Sequence, residues 1–205
     1  MILLQKPGTL RIGVVSDTHV PDRVRQLHPR LLESLTAEKV DFLFHAGDVS
    51  RARVIRELEQ VAPVYCVSGN RDFLSGEKYP RRLDFLINGI DVTLTHGHID
   101  PWHYWVDKGQ NFLHHYRVDR YVNRLPAIAP TAKVIVFGHS HHAENLVRGG
   151  RIFFNPGSCS VAEKPDFQLS FGIIEIHSDG RIVGKIQPLL GWGCRSGKWI
   201  EGERN

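Results

Sequence analysis

Residues 11–19 of the chain, RIGVVSDTH, combine a short apolar run with a polar end. The run RIGVVS is rich in valine and isoleucine, which favours a strand that is covered on both faces. Asp17 and His19 follow it directly, so two groups that can bind a metal or move a proton stand at its carboxyl end. Ligands of open α/β sheets bind at this end of the strands. The stretch therefore predicts a layered α/β fold and the place of a functional site.

Four further apolar runs predict strands, and a polar group follows each of them. The runs and their groups are residues 42–46 (FLFHA) with Asp48, 64–68 (VYCVS) with Asn70, 91–95 (DVTLT) with His96, and 134–137 (VIVF) with His139 and His141. Since ligand sites form where carboxyl ends of strands meet, we expect the seven oxygen and nitrogen donors to converge.

Helical patterns lie between some of these runs. Residues 29–35 carry a leucine stripe, and Ser50 is a candidate N-cap for the next helix. The later part of the chain predicts strands at 152–154, 170–177 and 181–187, and a Ser-Asp-Gly turn joins the last two. Alternating strands and helices followed by strands alone indicate a layered α/β fold, with one mixed sheet or two stacked sheets.

Composition limits the class of protein. The 205 residues predict one domain over 1–205, with a frayed tail from about 191. The net charge of +4 is too small to indicate a nucleic-acid binder, and no apolar run approaches the ~20 residues of a membrane span. Three cysteines without a CxxC motif, and a start unlike a signal peptide, favour the cytoplasm. The twelve histidines are the unusual feature, since histidine binds metals and transfers protons.

The seven donors indicate a metal site with two ions. Carboxylate, amide and imidazole groups suit Mn²⁺, Fe, Ni²⁺ or Zn²⁺, and we favour Mn²⁺. Asp48, in a tight Gly-Asp turn, is placed to bridge two ions. Two ions about 3.5–4 Å apart clamp the attacking and leaving oxygens of a phosphoryl group.

Five motifs in this order resemble the calcineurin-like metallophosphoesterases, and in particular their small bacterial and archaeal phosphodiesterase branch. The motifs are D-x-H (Asp17, His19), G-D (Gly47, Asp48), G-N-x-D (Gly69, Asn70, Asp72), H-G-H (His96, Gly97, His98) and G-H-x-H (Gly138, His139, His141). The run Asn155-Pro156-Gly157-Ser158 also resembles that branch. Each motif alone carries little weight, but their shared order is specific.

The resemblance implies a four-layer α/β/β/α sandwich, two stacked mixed sheets flanked by helices. It also implies that three residues bind the first metal ion, that three others bind the second, and that Asp48 bridges both. The first set is Asp17, His19 and His141, and the second set is Asn70, His96 and His139. The implied reaction is attack of a metal-bridging hydroxide on the phosphorus of a phosphoester.

One position departs from the pattern of many metallophosphoesterases, in which a histidine directly follows the asparagine and helps to protonate the leaving group. This chain has Arg71 there, and arginine does not give up a proton near neutral pH. Arg71 is either a phosphate contact or the partner of Asp72 in a salt bridge. Protonation then falls to His98 or to a metal-bound water, unless the enzyme prefers good leaving groups.

Residues 101–125 are crowded with aromatic side chains and with His103, His114 and His115. Arg117, Arg120 and Arg124 share one face of a predicted helix. One hypothesis is that this inserted helix borders the site and presents aromatic and basic groups to a nucleotide. The alternative, which we favour, is a helix that packs on the core or on a second subunit.

The sequence therefore predicts a phosphodiesterase that acts on a small phosphodiester or nucleotide, without a membrane or long duplex as partner. Asp48 and His98 are the candidate catalytic residues, and Asn70 and Arg71 are candidate substrate contacts. A phosphomonoesterase and a nuclease of the same fold are alternatives, and a homodimer is conceivable. A scaffold that resembles the retromer subunit of this fold is a third alternative, but all seven ligand positions here carry competent residues.

Overall fold

Two mixed β-sheets form the body of the protein. The structure, a computed structural model, describes residues 1–72, 78–98, 116–161 and 168–202. One sheet has six strands, the other has five, and β12 (Trp192–Arg195) and β13 (Lys198–Glu201) form a separate hairpin. The strands of the first sheet are β1 (Ile2–Leu4), β5 (Arg82–Ile87), β6 (Ile90–Thr95), β7 (Val134–Val136), β8 (Ala143–Arg148) and β9 (Arg151–Pro156), and they lie in the order β1-β5-β6-β7-β9-β8. Those of the second sheet are β2 (Thr9–Val15), β3 (Phe42–His45), β4 (Val64–Cys66), β10 (Ser170–His177) and β11 (Ile182–Pro188), and they lie in the order β11-β10-β2-β3-β4.

In the described residues, three helices cover the sheets: α1 (Leu31–Ala37), α2 (Ala52–Leu58) and α3 (Asp119–Ile128). The apolar faces of α1 and α2 pack with one face of the five-stranded sheet in one cluster of buried residues. The opposite face of that sheet meets the six-stranded sheet in a second cluster that includes Ile12, Phe44, Phe85 and Phe154. Helix α3 packs through Tyr121 and Leu125 against the remaining face of the six-stranded sheet. The layers are therefore helix, sheet, sheet and helix, as the resemblance implies.

The parallel strands explain why the apolar runs lead to one site. Strands β2, β3 and β4 are parallel to each other, and so are β6, β7 and β9. Each run predicted from the sequence agrees with an observed strand to within two residues. The Ser-Asp-Gly turn joins the antiparallel strands β10 and β11, as predicted. The carboxyl ends of the parallel strands in both sheets thus bear the residues singled out above.

Two local predictions are wrong. The N-cap of α2 is Arg51, which makes no side-chain capping bond. The preceding Ser50 has a φ of 70° and lies outside the helix, where its backbone N–H is bound to Asp72. The second is the frayed tail, which does not hold for residues 192–201. These residues form the hairpin of β12 (Trp192–Arg195) and β13 (Lys198–Glu201), and Trp199 Nε1 anchors it to the Gln26 carbonyl at 2.9 Å.

Strands β1, β5 and β8 were not anticipated, because they are short or poorly patterned runs. No helix in the described part of the chain is long and apolar enough to cross a bilayer.

Candidate metal centre

The loops that follow the parallel strands carry an unusual backbone. Five of the predicted ligands adopt positive φ angles, namely Asp17 (53°), His19 (48°), Asp48 (57°), His139 (68°) and His141 (58°). Residues other than glycine rarely adopt this left-handed conformation, and when they do they cluster at functional sites. Strands β2, β3 and β7 therefore end in sharp turns that direct their polar residues to the same edge of the sheets.

The first group of ligands comprises Asp17, His19 and His141. Nε2 of His141 lies 3.3 Å from Oδ1 of Asp17 and 3.3 Å from Nε2 of His19. Nε2 of His19 lies 3.8 Å from the same Asp17 oxygen. The other oxygen of Asp17 is held by the Ser16 hydroxyl (2.6 Å) and the His139 backbone N–H (3.1 Å). One oxygen of Asp17 thus fixes the loop while the other faces the two imidazoles.

The second group comprises Asn70, His96 and His139. Oδ1 of Asn70 lies 3.1 Å from Nε2 of His96 and 3.0 Å from Nδ1 of His139. Nδ1 of His96 donates to the Ala46 carbonyl at 2.6 Å. Because a carbonyl only accepts, this bond fixes the tautomer and leaves Nε2 as an electron-pair donor.

Asp48 lies between the two groups. Its Oδ2 is 3.8 Å from Nε2 of His19, and its Oδ1 is 3.7 Å from Nε2 of His96. Oδ1 also accepts a hydrogen bond from the backbone N–H of Arg71 at 2.8 Å. Each carboxylate oxygen therefore faces a different cluster of ligand atoms, which is the arrangement required of a bridging ligand.

The protonation states in this centre suit metal binding. Burial lowers the pKa of His19 to about 3, although the Asp17 charge opposes it, and burial also lowers that of His139 well below its usual range. Burial alone would raise the pKa of Asp17, but the charge of His141 holds it well below its usual range. Burial raises the pKa of Asp48 to about 6. At neutral pH the imidazoles of His19 and His139 are thus neutral and the two carboxylates ionised, as metal ligands must be.

The donor set fits divalent cations. Oδ1 of Asp17 is fully buried, and no hydrogen bond within the described parts of the chain satisfies it. A buried carboxylate oxygen without a partner is costly, and a cation beside the two imidazoles would satisfy it. Asp17 belongs to two groups whose ligand atoms all lie within 4.8 Å, one with His19 and His141 and one with Asp48 and His96. Carboxylate, amide and imidazole donors suit first-row transition metals.

Asp72 is a residue of this centre that the sequence analysis considered only as a motif position and as the alternative salt-bridge partner of Arg71. Its side chain is fully buried and accepts backbone N–H bonds from Asp48 (2.9 Å), Gly69 (2.7 Å) and Ser50 (2.8 Å). It thereby joins the loop after β3 to the loop after β4. The only signal in the sequence is its place two residues after Asn70.

Close packing also holds the loops together. A Cβ on Gly69 would lie 2.1 Å from Oδ1 of Asp48, so only glycine fits there. Ser158 and Ser160 both donate to the Asp17 carbonyl, at 3.1 and 2.7 Å. Asn155 donates to the Gly138 carbonyl at 2.9 Å. The Asn-Pro-Gly-Ser run therefore supports the loops after β2 and β7 from behind.

His98 and Arg71 both lie beside the second group. The ring of His98, which is half-buried, has its centroid 5.3 Å from that of His96 and 6.0 Å from that of His139. Arg71 forms a salt bridge with Asp22. The structure thus brings both residues to the rim of the centre.

The segment over 101–125 is described only from residue 116, so His103, His114 and His115 lie outside the described residues. Tyr116 stacks on His142 with ring centroids 3.6 Å apart. Arg124 was predicted to share one basic helix face with Arg117 and Arg120. Its guanidinium instead donates to the Gly97 carbonyl at 3.0 Å and lies over the Tyr121 ring. Helix α3 therefore supports the H-G-H loop.

Comparison with known proteins agrees with this geometry. A probable metallophosphoesterase of Methanothermobacter thermautotrophicus is 32% identical over 155 residues, which are 76% of this chain and 80% of that protein. Vacuolar protein sorting 29 of Cryptosporidium parvum has a similar fold, with a TM-score of 0.63 and 21% identity over 95% of this chain and 96% of that one. A structure described as a novel archaeal phosphodiesterase gives a TM-score of 0.59 and 19% identity, over 87% and 100% of the chains.

The calcineurin-like phosphoesterase superfamily domain matches residues 10–179, which contain every ligand described above. The chain therefore belongs to the calcineurin-like phosphoesterase superfamily.

Proposed function

We propose that this protein is a phosphodiesterase that works with two divalent metal ions, Mn²⁺ being favoured. The observation that carries the proposal is the position of Asp48, whose two oxygens lie 3.8 Å from His19 and 3.7 Å from His96. A carboxylate whose two oxygens face two clusters of ligand atoms supports a pair of ions rather than one. Asp17, His19 and His141 would hold one ion and Asn70, His96 and His139 the other.

When bound, such a pair of ions lowers the pKa of a water held between them and neutralises charge on the phosphoryl oxygens. The protein's own residues do the rest. Asp48 holds the two halves of the site at a fixed separation, and the hydrogen bond from His96 to the Ala46 carbonyl keeps that imidazole oriented. The Arg71 guanidinium, at the rim, is suited to bind a phosphate oxygen.

Two features favour a diester over a monoester as the substrate. Arg71 occupies the position at which many relatives carry a histidine acid, and it adds one fixed positive charge instead of a proton donor. A solved structure of this fold is described as an archaeal phosphodiesterase. We assign His98 as the group that donates a hydrogen bond to the leaving oxygen, because its ring lies beside both imidazoles of the second group. The substrate is a small phosphodiester or nucleotide.

The test combines metal titration with hydrolysis. Wild type should bind two Mn²⁺ per chain in isothermal calorimetry and hydrolyse bis(4-nitrophenyl) phosphate faster than 4-nitrophenyl phosphate. Asp48→Asn should bind fewer than two ions and lose at least about 100-fold in rate, since a direct ligand matters at least as much as its supporting partners. Asp179→Asn, in the exposed β10–β11 turn, is the control and should behave as wild type. Two tightly bound ions in Asp48→Asn, or no metal-dependent hydrolysis by wild type, would contradict the proposal.

A further inference from the structure

A cavity of about 400 Å³ opens beside the loop that carries His19, and arginines dominate its wall. The residues that line it include Arg25, Arg51, Arg53 and Arg56, with Val20 and Pro21. No acidic residue lines it among the described parts of the chain. Four guanidinium groups around one concave surface repel one another, so the cavity is suited to an anion.

The cavity wall is held in place by contacts from elsewhere in the fold. The backbone N–H of Arg25 donates to the Gly197 carbonyl of the C-terminal hairpin at 2.9 Å. Arg53 donates to the Arg25 carbonyl at 3.2 Å and pairs with Glu57 at 3.0 Å. Arg53 therefore ties helix α2 to the loop across the cavity.

The side chains of the other three arginines differ from that of Arg53. Within the described residues, Arg25, Arg51 and Arg56 form no salt bridge with a carboxylate. One guanidinium group can donate two parallel hydrogen bonds to the oxygens of a phosphate, and it is less strongly hydrated than an ammonium group. Both properties suit arginine to phosphate recognition. A phosphate group is therefore the anion that this wall fits best.

The cavity adjoins the first group of ligands. Val20, which lines the cavity, directly follows His19. Arg51, which also lines it, is three residues from Asp48, so the Cα atoms of Arg51 and Asp48 are at most about 11 Å apart. The His19 backbone N–H donates to the Asp48 carbonyl at 3.1 Å and holds the two loops side by side. We propose that this cavity binds a second phosphate group of the substrate, so that the enzyme prefers phosphodiesters that carry a further phosphate. This inference rests on the proposed phosphodiesterase function.

Two esters with one leaving group test it. Thymidine 5′-(4-nitrophenyl phosphate) and its 3′-phosphorylated derivative both release 4-nitrophenolate and differ by one phosphate. We expect wild type with Mn²⁺ to show a higher kcat/KM for the phosphorylated ester. In Arg51→Ala/Arg56→Ala, that preference should fall at least about tenfold, as expected for the loss of charge-assisted bonds. Lys133→Ala/Arg181→Ala removes the same charge from exposed positions before β7 and β11, at the opposite edge, and should keep the wild-type preference.

Calorimetry separates this inference from the proposed function. Thymidine 3′,5′-bisphosphate should bind Mn²⁺-loaded wild type more tightly than thymidine 5′-monophosphate does, and the double arginine variant should lose that difference. One outcome is that the bisphosphate binds wild type more tightly than the monophosphate, that the double arginine variant loses this difference, and that neither ester is hydrolysed. The proposed function then fails and the anion site stands. If both esters are hydrolysed with the same preference in wild type and in both variants, the cavity assignment is overturned while the phosphodiesterase function stands.

Discussion

The substitution Asp72→Asn tests whether the buried carboxylate behind the metal centre holds its two loops in place. Oδ2 of Asp72 accepts the N–H groups of Asp48 and Gly69, at 2.9 and 2.7 Å, and Oδ1 accepts that of Ser50 at 2.8 Å. Asparagine keeps one acceptor oxygen and replaces the other by an NH₂ group. When the asparagine oxygen takes the place of Oδ2, the bonds from Asp48 and Gly69 are kept. The NH₂ group then faces the Ser50 N–H, so that two donors oppose each other.

The cost follows from these three bonds. One charge-assisted hydrogen bond is lost, worth about 1.5–3 kcal/mol, and the two that remain each lose about 1 kcal/mol with the charge. The free energy of unfolding should therefore fall by about 3.5–5 kcal/mol, a large part of the 5–15 kcal/mol that is usual for a domain. Because the loops also carry Asp48 and Asn70, Mn²⁺ affinity should fall about 10–100-fold, as for other partners that orient ligands.

Urea unfolding of the metal-free protein, followed by circular dichroism, measures the first effect, and calorimetric titration with Mn²⁺ measures the second. Asp179→Asn is a matched control, since Asp179 is exposed and accepts only the local N–H of Arg181 among its described contacts. It should change the free energy of unfolding by less than about 0.5 kcal/mol. If Asp72→Asn keeps both the urea midpoint and the metal affinity of wild type, the carboxylate does not organise these loops.

Three further changes test other parts of the structure. Arg124→Ala removes the bond to the Gly97 carbonyl and should lower the free energy of unfolding by about 2 kcal/mol in urea; an unchanged midpoint would contradict the supporting role of α3. Gly69→Ala places a Cβ 2.1 Å from Oδ1 of Asp48 and should abolish binding of the second Mn²⁺ in calorimetry, whereas retention of both ions would refute the close packing. Burial lowers the pKa of His28 to about 4, below its unfolded value near 6.5, so protons favour the unfolded chain. The free energy of unfolding should fall as pH drops from 6.5 to 4, and less steeply in His28→Gln; equal slopes would rule out this contribution.

The fold and the ligand set were largely predictable, because both depend on local patterns. Short apolar runs predicted the parallel strands that lead to the centre, β2, β3, β4, β6, β7 and β9, and a strand places whatever follows it at the edge of its sheet. The donors that follow these runs, from Asp17 to His141, all lie in the centre. The tail was predicted wrongly, because Gly191 and Gly197 read as signs of disorder, whereas they flank the strands of a hairpin.

The partners of the ligands could not be predicted in the same way. Asp72 and Ser158 are polar residues in loops, and nothing in the local sequence shows which backbone groups they bind. Arg124 has the spacing of a solvated helical face, yet its guanidinium reaches the Gly97 carbonyl 27 residues away. The arginine cavity likewise combines the loop after His19 with helix α2, which are separate in the sequence.

The sequence by itself determined the layered α/β class, the order of the parallel strands' motifs and the chemical identity of the seven predicted metal ligands. These features depend on residue type and on spacing along one strand. Only the tertiary structure decided that Asp48 directs one oxygen to each group, that Asp72 ties two loops together, and that a basic cavity adjoins the centre. The physical reason is distance along the chain. Hydrogen bonds and charge interactions act between groups that are close in space, and folding alone brings these groups together.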